Sequence, residues 1–405
     1  MMAMFGCKTQ PAATPEEFAE GSLPIAEWDT ATIILMHTPG IELFDGIIHP
    51  SAGLFEDYFN VDSAAAEHQG YIDILRSNGC RVMTVAELLA KADIEELRPL
   101  ADAALRYESS DTAIAVEAYR QEVLSKMSRN DLIRTILLRP TVQLRSTGSH
   151  NTGVEATYIH NPLSNLYFMR DQSITTPRGT ILCRMNSTVR ADEVGVVRLC
   201  HKLAGNEPIY EVHGDSSRME GGDYMPAGTM SMIGCGMRTT IQAIQELMDN
   251  DCFGHDTVVV VRDHLFWQMQ MHLDTHFNII DRNLVTMCAN RYDANEGDPE
   301  YLTMDIYVRP AAGKPYALVA EGLGFRSWLE SRGTKIIRIN HDDEMHYANN
   351  YLTIAPRHIC AIANQSQEFQ DALAANNVKV DWIPAENLIC GYGAAHCMTQ
   401  VIRRK

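Results

Sequence analysis

No stretch of this 405-residue sequence approaches 18 consecutive apolar residues, so no transmembrane helix is expected. The opening MMAMFGCKTQPAATPEEFAEGS lacks the basic start and long apolar run of a secretion signal. Positive charge is in short supply. There are 34 Lys and Arg against 52 Asp and Glu, a formal net charge of -18. Such a chain is a poor partner for nucleic acid or an anionic membrane. Gly and Pro are not enriched, at 26 and 16, which removes collagen-like and disordered readings. The ten cysteines contain no CxxC pair, so neither a disulfide framework nor a zinc knuckle is indicated. Most are read as small buried hydrophobes in a reducing, cytoplasmic setting.

What is present is ordinary globular composition, 45% hydrophobic and 21% charged, long enough for one large core or two smaller ones. A supersecondary unit recurs: strand, turn, strand, helix, strand. Its clearest copy starts at Glu220. EGGDYMPAG leads to SMIGCG, then RTTIQAIQELMDND, then the β-branched run TVVVV. Ile241, Ile244 and Met248 carry the helical spacing. A copy over 166–212 places two strands about the turn ThrProArgGly at 176–179, then a helix from Ala191, then EPIYEV. Another runs from HFNIID through LVTMCA and a helix over 321–331 to KIIRI. Another reads YLTIAP, HICAIA, SQEFQDALAANN, VKVDWI. The weakest is ATIILMH, a helix stopped at Asn78 and Gly79, and CRVMTV.

Five units that cannot each bury their faces alone suggest a ring whose mouth gathers residues from all of them. The stretch from Val85 to Gln143 breaks the pattern and reads as purely helical, with Pro140 ending the last helix. The expected organisation is therefore α/β. A loosely ordered lead-in covers 1–24, the repeat domain spans 25–85 and 156–405, and a helical insertion occupies 86–155.

Four motifs in four units carry candidate chemistry: AsnLeuTyrPheMetArgAsp at 165–171, GluGlyGlyAsp at 220–223, HisLeuAspThr at 272–275 and HisCysMetThr at 396–399. If 271–277 is a strand, His272, Asp274 and His276 share one face. That face could serve acid–base work, hold a cation, bind a metal, or be a plain polar surface. No Cys or carboxylate cluster nearby completes a metal set. GluGlyGlyAsp is a tight turn in which Asp223 serves the backbone and Glu220 is the catalytic candidate. Cys397 follows small residues that let a ligand approach. A thiolate nucleophile there needs a local cation or a lowered pKa. Taken singly, each feature has a structural explanation. Together, Asp171, Glu220, His272, Asp274 and Cys397 fall near expected strand ends of separate units.

In order and motif, GluGlyGlyAspTyrMetProAlaGly, HisLeuAspThr with Phe277, LeuPheGluAsp at 54–57 and GluHis at 67–68 together resemble the arginine deiminase family. The likeness spans nearly the whole chain and includes the helical insertion. It places the chain within the guanidino-group-modifying, or amidinotransferase, superfamily. It implies a five-bladed ββαβ α/β-propeller (a pentein) with a central site. It also implies hydrolysis of L-arginine to L-citrulline and ammonia, without metal or organic cofactor. Cys397 would be the nucleophile and His272 the general acid and base. Asp171 and Asp274 would clamp the guanidinium, and Glu220 would hold His272 and a guanidinium nitrogen. Asn165, Arg190 and Arg238 match the substrate-carboxylate positions, and Phe168 and Tyr392 complete the expected binding set. A homo-oligomer acting on a small guanidino or ureido amino acid is the expected state.

Two departures stand out. Tyr392, in GlyTyrGlyAlaAla, replaces the family's gate arginine. Val189–Arg190 stands where a pair of arginines is common. Other readings therefore stay open: a citrulline ureidase or an arginine dihydrolase on the same scaffold, a non-catalytic arginine-binding homologue, and a metallohydrolase using His272 and His276. The paired Asp171 and Asp274 favour a cationic guanidinium over a neutral urea. Carboxylates around Cys397 would raise its pKa, so the thiolate is expected to form fully only with the cationic substrate bound.

Overall fold

A computed structural model describes residues 21–148 and 152–405; the expectation of a loose lead-in over 1–24 falls, up to residue 20, outside the described residues. Five small mixed sheets share one pairing logic: a first strand runs antiparallel to a second, and the second parallel to a third. Parallel neighbours need a crossover, and a helix supplies it each time. The second unit is Ser173–Thr176, Gly179–Leu182 and Tyr210–Glu211, with helix Glu193–Leu203. The third is Tyr224–Pro226, Met230–Cys235 and Thr257–Arg262, with helix Ile241–Asp249. The fourth is Phe277–Asp281, Leu284–Cys288 and Lys335–Ile339. The fifth is Leu352–Ala355, His358–Ile362 and Lys379–Ile383.

The first unit explains its own weak signal. Ala31–Met36 runs parallel to Arg81–Thr84 across helix Val61–Ser77, as expected. Its antiparallel partner is Gln400–Arg404, from the other end of the sequence. Local reading misses a strand whose partner lies so far away.

Local residue choices account for the helices. In Ile241–Asp249, Thr240 caps the amide of Ala243, and the helix buries Ala243, Ile244, Leu247 and Met248 along one stripe. Neighbouring units then share cores. Ile174 and Ile181 pack in one cluster with Ile233 and Val260. Met232 and Val259 pack with Phe277 and Val285. Ile280 and Ile337 pack with Ile359 and Ala361. Leu352 and Ile354 pack with Ile34 and Met36. Ile33, Leu35 and Ile402 meet Val196 and Val197 of the second unit's helix.

Two expectations are corrected. Residues 317–324 form an edge strand rather than the start of a helix, and the helix begins at Phe325. Gly322, at φ 67, and Gly324 break the helical run there. With Thr303–Val308 this strand extends the third sheet to five strands. The stretch after Val85 is not purely helical either. Arg106–Ser109, Pro140–Ser146 and Val154–His160 form a three-stranded sheet beside the helices Ile94–Ala104, Val116–Lys126 and Arg129–Leu138. Pro140 opens a strand, as its fixed φ permits at a strand's first residue. Leu97, Leu132 and Ile136 of this segment join the cluster of Ile33 and Val196, so it shares its core with the repeat units. Among the described residues no helix is long and apolar enough to cross a membrane.

Candidate active site

Each unit presents side chains from the few residues just before its first strand. Asp171 precedes Ser173, Glu220 precedes Tyr224, His272 and Asp274 precede Phe277, Asn350 precedes Leu352, and Cys397 precedes Gln400. All six are buried. The five residues expected at the catalytic centre are therefore brought together, and the fifth unit adds Asn350.

Residues 272–276 do not form a strand. His272 caps a single helical turn, Leu273–His276, so His272, Asp274 and His276 do not share one strand face. The turn is held from outside the segment: Asp223 Oδ1 accepts the Leu273 amide at 2.9 Å, and Asp223 Oδ2 accepts Thr239 Oγ1 at 2.5 Å. Asp223 thus fastens the neighbouring unit as well as its own. Within the turn, the Thr275 hydroxyl and amide both donate to the His272 carbonyl. His276 is buried, and burial and Arg291 push its pKa down to about 3.

His272 Nε2 donates to Glu220 Oε2 at 2.9 Å, and His272 Nδ1 lies 3.8 Å from Asp171 Oδ1. Burial opposes the imidazolium, but Asp171, Glu220 and Asp223 outweigh it and lift the pKa to about 9. Burial likewise opposes the Glu220 carboxylate, and His272 with Arg238 and Arg190 holds it low. Gly222 makes the approach possible, because a Cβ there would stand 2.7 Å from His272 Nδ1 and 3.1 Å from Asp274 Oδ1.

Cys397 Sγ lies 3.5 Å from Asp274 Oδ2 and 3.1 Å from Asn350 Nδ2. Burial, then Asp274 and Asp171, raise the thiol well above its usual pKa, while the Asn350 amide works against them. Asp274 Oδ2 accepts His396 Nδ1 at 2.6 Å. Asp274 Oδ1 is buried with no partner among the described residues. Behind His396 lies Glu27, whose Oε1 is 3.9 Å from His396 Nε2 and whose Oε2 accepts Arg404 Nη2 at 2.5 Å. Burial raises the Glu27 pKa, yet Arg404, His396 and Arg170 bring it down to about 2.

A cavity opens onto Asp171, His272 and Cys397, whereas Glu220 and Asp274 are not among its lining residues. Asn165, Phe168, Asp171, Arg190, Arg238, His272, Tyr392 and Cys397 line it, as do Leu54, Gln268 and Met271, which sequence reasoning missed. Arg238 Nη2 donates to Gln268 at 3.0 Å, and its Nε is buried without a partner among the described residues. Arg190 is heavily engaged: Nη1 donates to Asp171 at 2.5 Å, Nε to Glu193 at 3.0 Å, and Nη2 to the carbonyls of Asn165 and Phe168. One Nη1 hydrogen remains of its five. The Asn165 amide donates to the Gly53 carbonyl at 2.7 Å. Tyr392 sits at φ 63, and Gly393 beside it leaves room that a Cβ would take within 2.8 Å of Phe168 and 3.1 Å of Cys397 Sγ.

Asp171, Glu220 and His272 stand close enough to hold a cation in principle. Each already has a protein partner there, Arg190 for Asp171 and a mutual bond for the other two. Among the described residues, His276 joins no such group. Sequence reasoning missed Asn350, His396 as a partner of Asp274, and Glu27. None of these sits in a motif that periodicity reveals. The one available signal was that the fifth unit had no candidate, and AsnAsn at 349–350 stands in its equivalent place.

The family model described as Arginine deiminase matches residues 52–404. Arginine deiminase of Halobacterium salinarum is 27% identical, over 94% of this chain and 96% of the relative. That of Oenococcus oeni is 24% identical over 92% and 94%. Among solved structures, DDAH from Pseudomonas aeruginosa complexed with citrulline has a TM-score of 0.54 at 14% identity, covering 92% of this chain and 99% of that one. The N-terminal domain of ArgZ, bound covalently to a reaction intermediate, has a TM-score of 0.56 at 14% identity, covering 92% and 98%.

Proposed function

The chain belongs to the arginine deiminase family, and from that premise we propose that its central site hydrolyses L-arginine to L-citrulline and ammonia through a covalent adduct on Cys397. The observation that carries the reading is a buried thiol 3.5 Å from Asp274, whose other carboxylate oxygen is buried and unpartnered. A guanidinium N–H fits that oxygen, and a buried carboxylate oxygen without a donor favours a cation, although Oδ2 already accepts His396. Asp171 is the second clamp. Arg238 Nε and the remaining Arg190 hydrogen take the substrate carboxylate, with Asn165, Phe168 and Tyr392 shaping the mouth. The shared cores between successive units, and between the fifth and the first, support a five-bladed ring with the segment 86–155 inserted into it.

The chemistry follows from charge. In the free site burial, with the carboxylates, keeps the proton on Cys397, and the carboxylates keep one on His272. A bound guanidinium offsets those carboxylates, so the thiol loses its proton to solvent and His272 holds its own less tightly. The sulfur lone pair forms the S–C bond, and the C–N π pair moves to nitrogen. His272 gives its proton to that nitrogen, and ammonia leaves, producing a thiouronium. His272 then takes a proton from water as hydroxide adds to carbon. Collapse expels the thiolate and leaves citrulline; the hydroxyl proton passes to solvent, where ammonia becomes ammonium. No step needs a metal or an organic cofactor. All nine cysteines among the described residues are free, which fits a reducing cytoplasm. Self-association into a homo-oligomer is part of the same reading, and sedimentation velocity measures it.

Product analysis with free arginine tests the assignment. Citrulline with one equivalent of ammonia is expected. Ornithine with further ammonia would move the reading to a dihydrolase. Consumption of citrulline without turnover of arginine would replace it with a ureidase.

A further inference from the structure

Building on Cys397 as nucleophile, we propose that Asn350 is a catalytic residue: its side-chain amide is the hydrogen-bond donor that stabilises the Cys397 thiolate. Four of the five units place a charged or nucleophilic side chain just before their first strand. The fifth unit places Asn350 there, and the amide reaches the sulfur at 3.1 Å.

The direction of the amide is settled by its partners. Asn350 Oδ1 accepts the backbone N–H of Ala394 at 2.9 Å and of Cys397 at 3.1 Å. Both are donors only, so oxygen must face them and Nδ2 must face the sulfur. The two Nδ2 hydrogens go to Cys397 Sγ and to the Asp274 carbonyl, the latter at 3.1 Å. The Asn350 carbonyl accepts the His396 amide at 3.0 Å, and the Asn350 amide donates to Tyr347 at 2.9 Å. Asn350 is fully buried and completely bonded, and its reach is set from both sides.

This arrangement separates the two forms of the sulfur. As a thiol, S–H points to Asp274 Oδ2, the acceptor 3.5 Å away. As a thiolate it has no proton to give Asp274; the Asn350 side chain still bonds it, and the Ala394 backbone N–H also favours the charge. A preorganised donor in a buried site stabilises the charge that develops on sulfur as the thiol loses its proton. The same donor also serves the thiolate when it leaves the second tetrahedral intermediate. An aspartate at 350 would keep the shape and the acceptor oxygen but lose the donor and add repulsion. A glutamine is too long for the same four bonds.

Asn350→Asp and Asn350→Ala test the role. With arginine as substrate, both are expected to lower kcat by about 10²–10³-fold with KM changed less than about threefold. Acid separates them. As pH falls from about 8 to about 5, the introduced carboxyl gains a proton and donates again, so the kcat of Asn350→Asp rises relative to the natural enzyme. Asn350→Ala shows no such recovery. A merely structural role would lower both variants in parallel at every pH. The near-isosteric Asn350→Asp carries the test if Asn350→Ala fails to fold by circular dichroism. A kcat loss below about fivefold, a change confined to KM, or an Asn350→Asp profile parallel to the natural enzyme would overturn the proposal. Cys397→Ala, assayed alongside, keeps the two ideas apart. Turnover by that variant would remove the nucleophile itself. An inactive Cys397→Ala beside near-natural Asn350 variants would remove Asn350 alone.

Discussion

The two walls of the cavity meet the same carboxylate field and answer it in opposite ways. On the His272 wall, a raised pKa means a charge is present: the imidazolium is ready as an acid. On the Cys397 wall, a raised pKa means a charge is absent: the thiol is not yet a nucleophile. The first wall balances its charges within the protein, through Arg190, Glu193 and the His272–Glu220 bond. The second leaves Asp274 Oδ1 unpartnered. In the mechanism proposed above, the substrate supplies the cation that this second wall lacks, so that nucleophile and substrate become competent together.

The comparison breaks most severely if the sulfur goes. Cys397→Ala is expected to reduce kcat at least about 10⁴-fold with unchanged thermal midpoint; detectable citrulline formation would reject the mechanism. Next, Asp274→Asn is expected to cost on the order of 10³-fold in kcat/KM for arginine, while making the free thiol react faster with iodoacetamide. Slower alkylation would show that Asp274 does not restrain the thiol. Behind the same wall, Glu27→Gln strands Arg404 and is expected to cost about 3–5 kcal/mol in a denaturant titration. The Glu27 pKa is depressed in the folded state, so its contribution is present above the usual carboxylate value of 4.5. It is lost as pH falls from there through about 2. Smallest, on the His272 wall, kcat/KM is expected to fall as pH rises through about 9, where His272 loses its proton. Glu220 helps lift that pKa, so Glu220→Gln should move the limb to lower pH in a rate profile. An unmoved limb would assign it to another group.

The repeat was legible where a unit encodes its strands and helix in one continuous stretch, as the second, third and fifth do. Ile241, Ile244 and Met248 announce a helix, and TVVVV a strand, without help from elsewhere. The errors fall where distant residues decide. The turn at 272–276 is too short for periodicity, and it is pinned by Asp223 from the preceding unit. Gln400–Arg404 is a strand only because Ala31–Met36 lies beside it. Asn350 looks like any polar residue ahead of a strand until Cys397 is placed against it. The candidate site residues were readable from their motifs. Their dependence on Asn350, His396 and Glu27 was not, because those contacts join units that are far apart in sequence.

The pairing of Ala31–Met36 with Gln400–Arg404 also sets an order in time. A contact between such remote segments is expected to form late, after local helices and hairpins have condensed. The loop that presents Cys397 leads directly into the second of those strands, so the sulfur reaches its place only when the circuit closes. In refolding from denaturant, recovered turnover should therefore trail the recovered helical signal, and the interval between them times the closure itself.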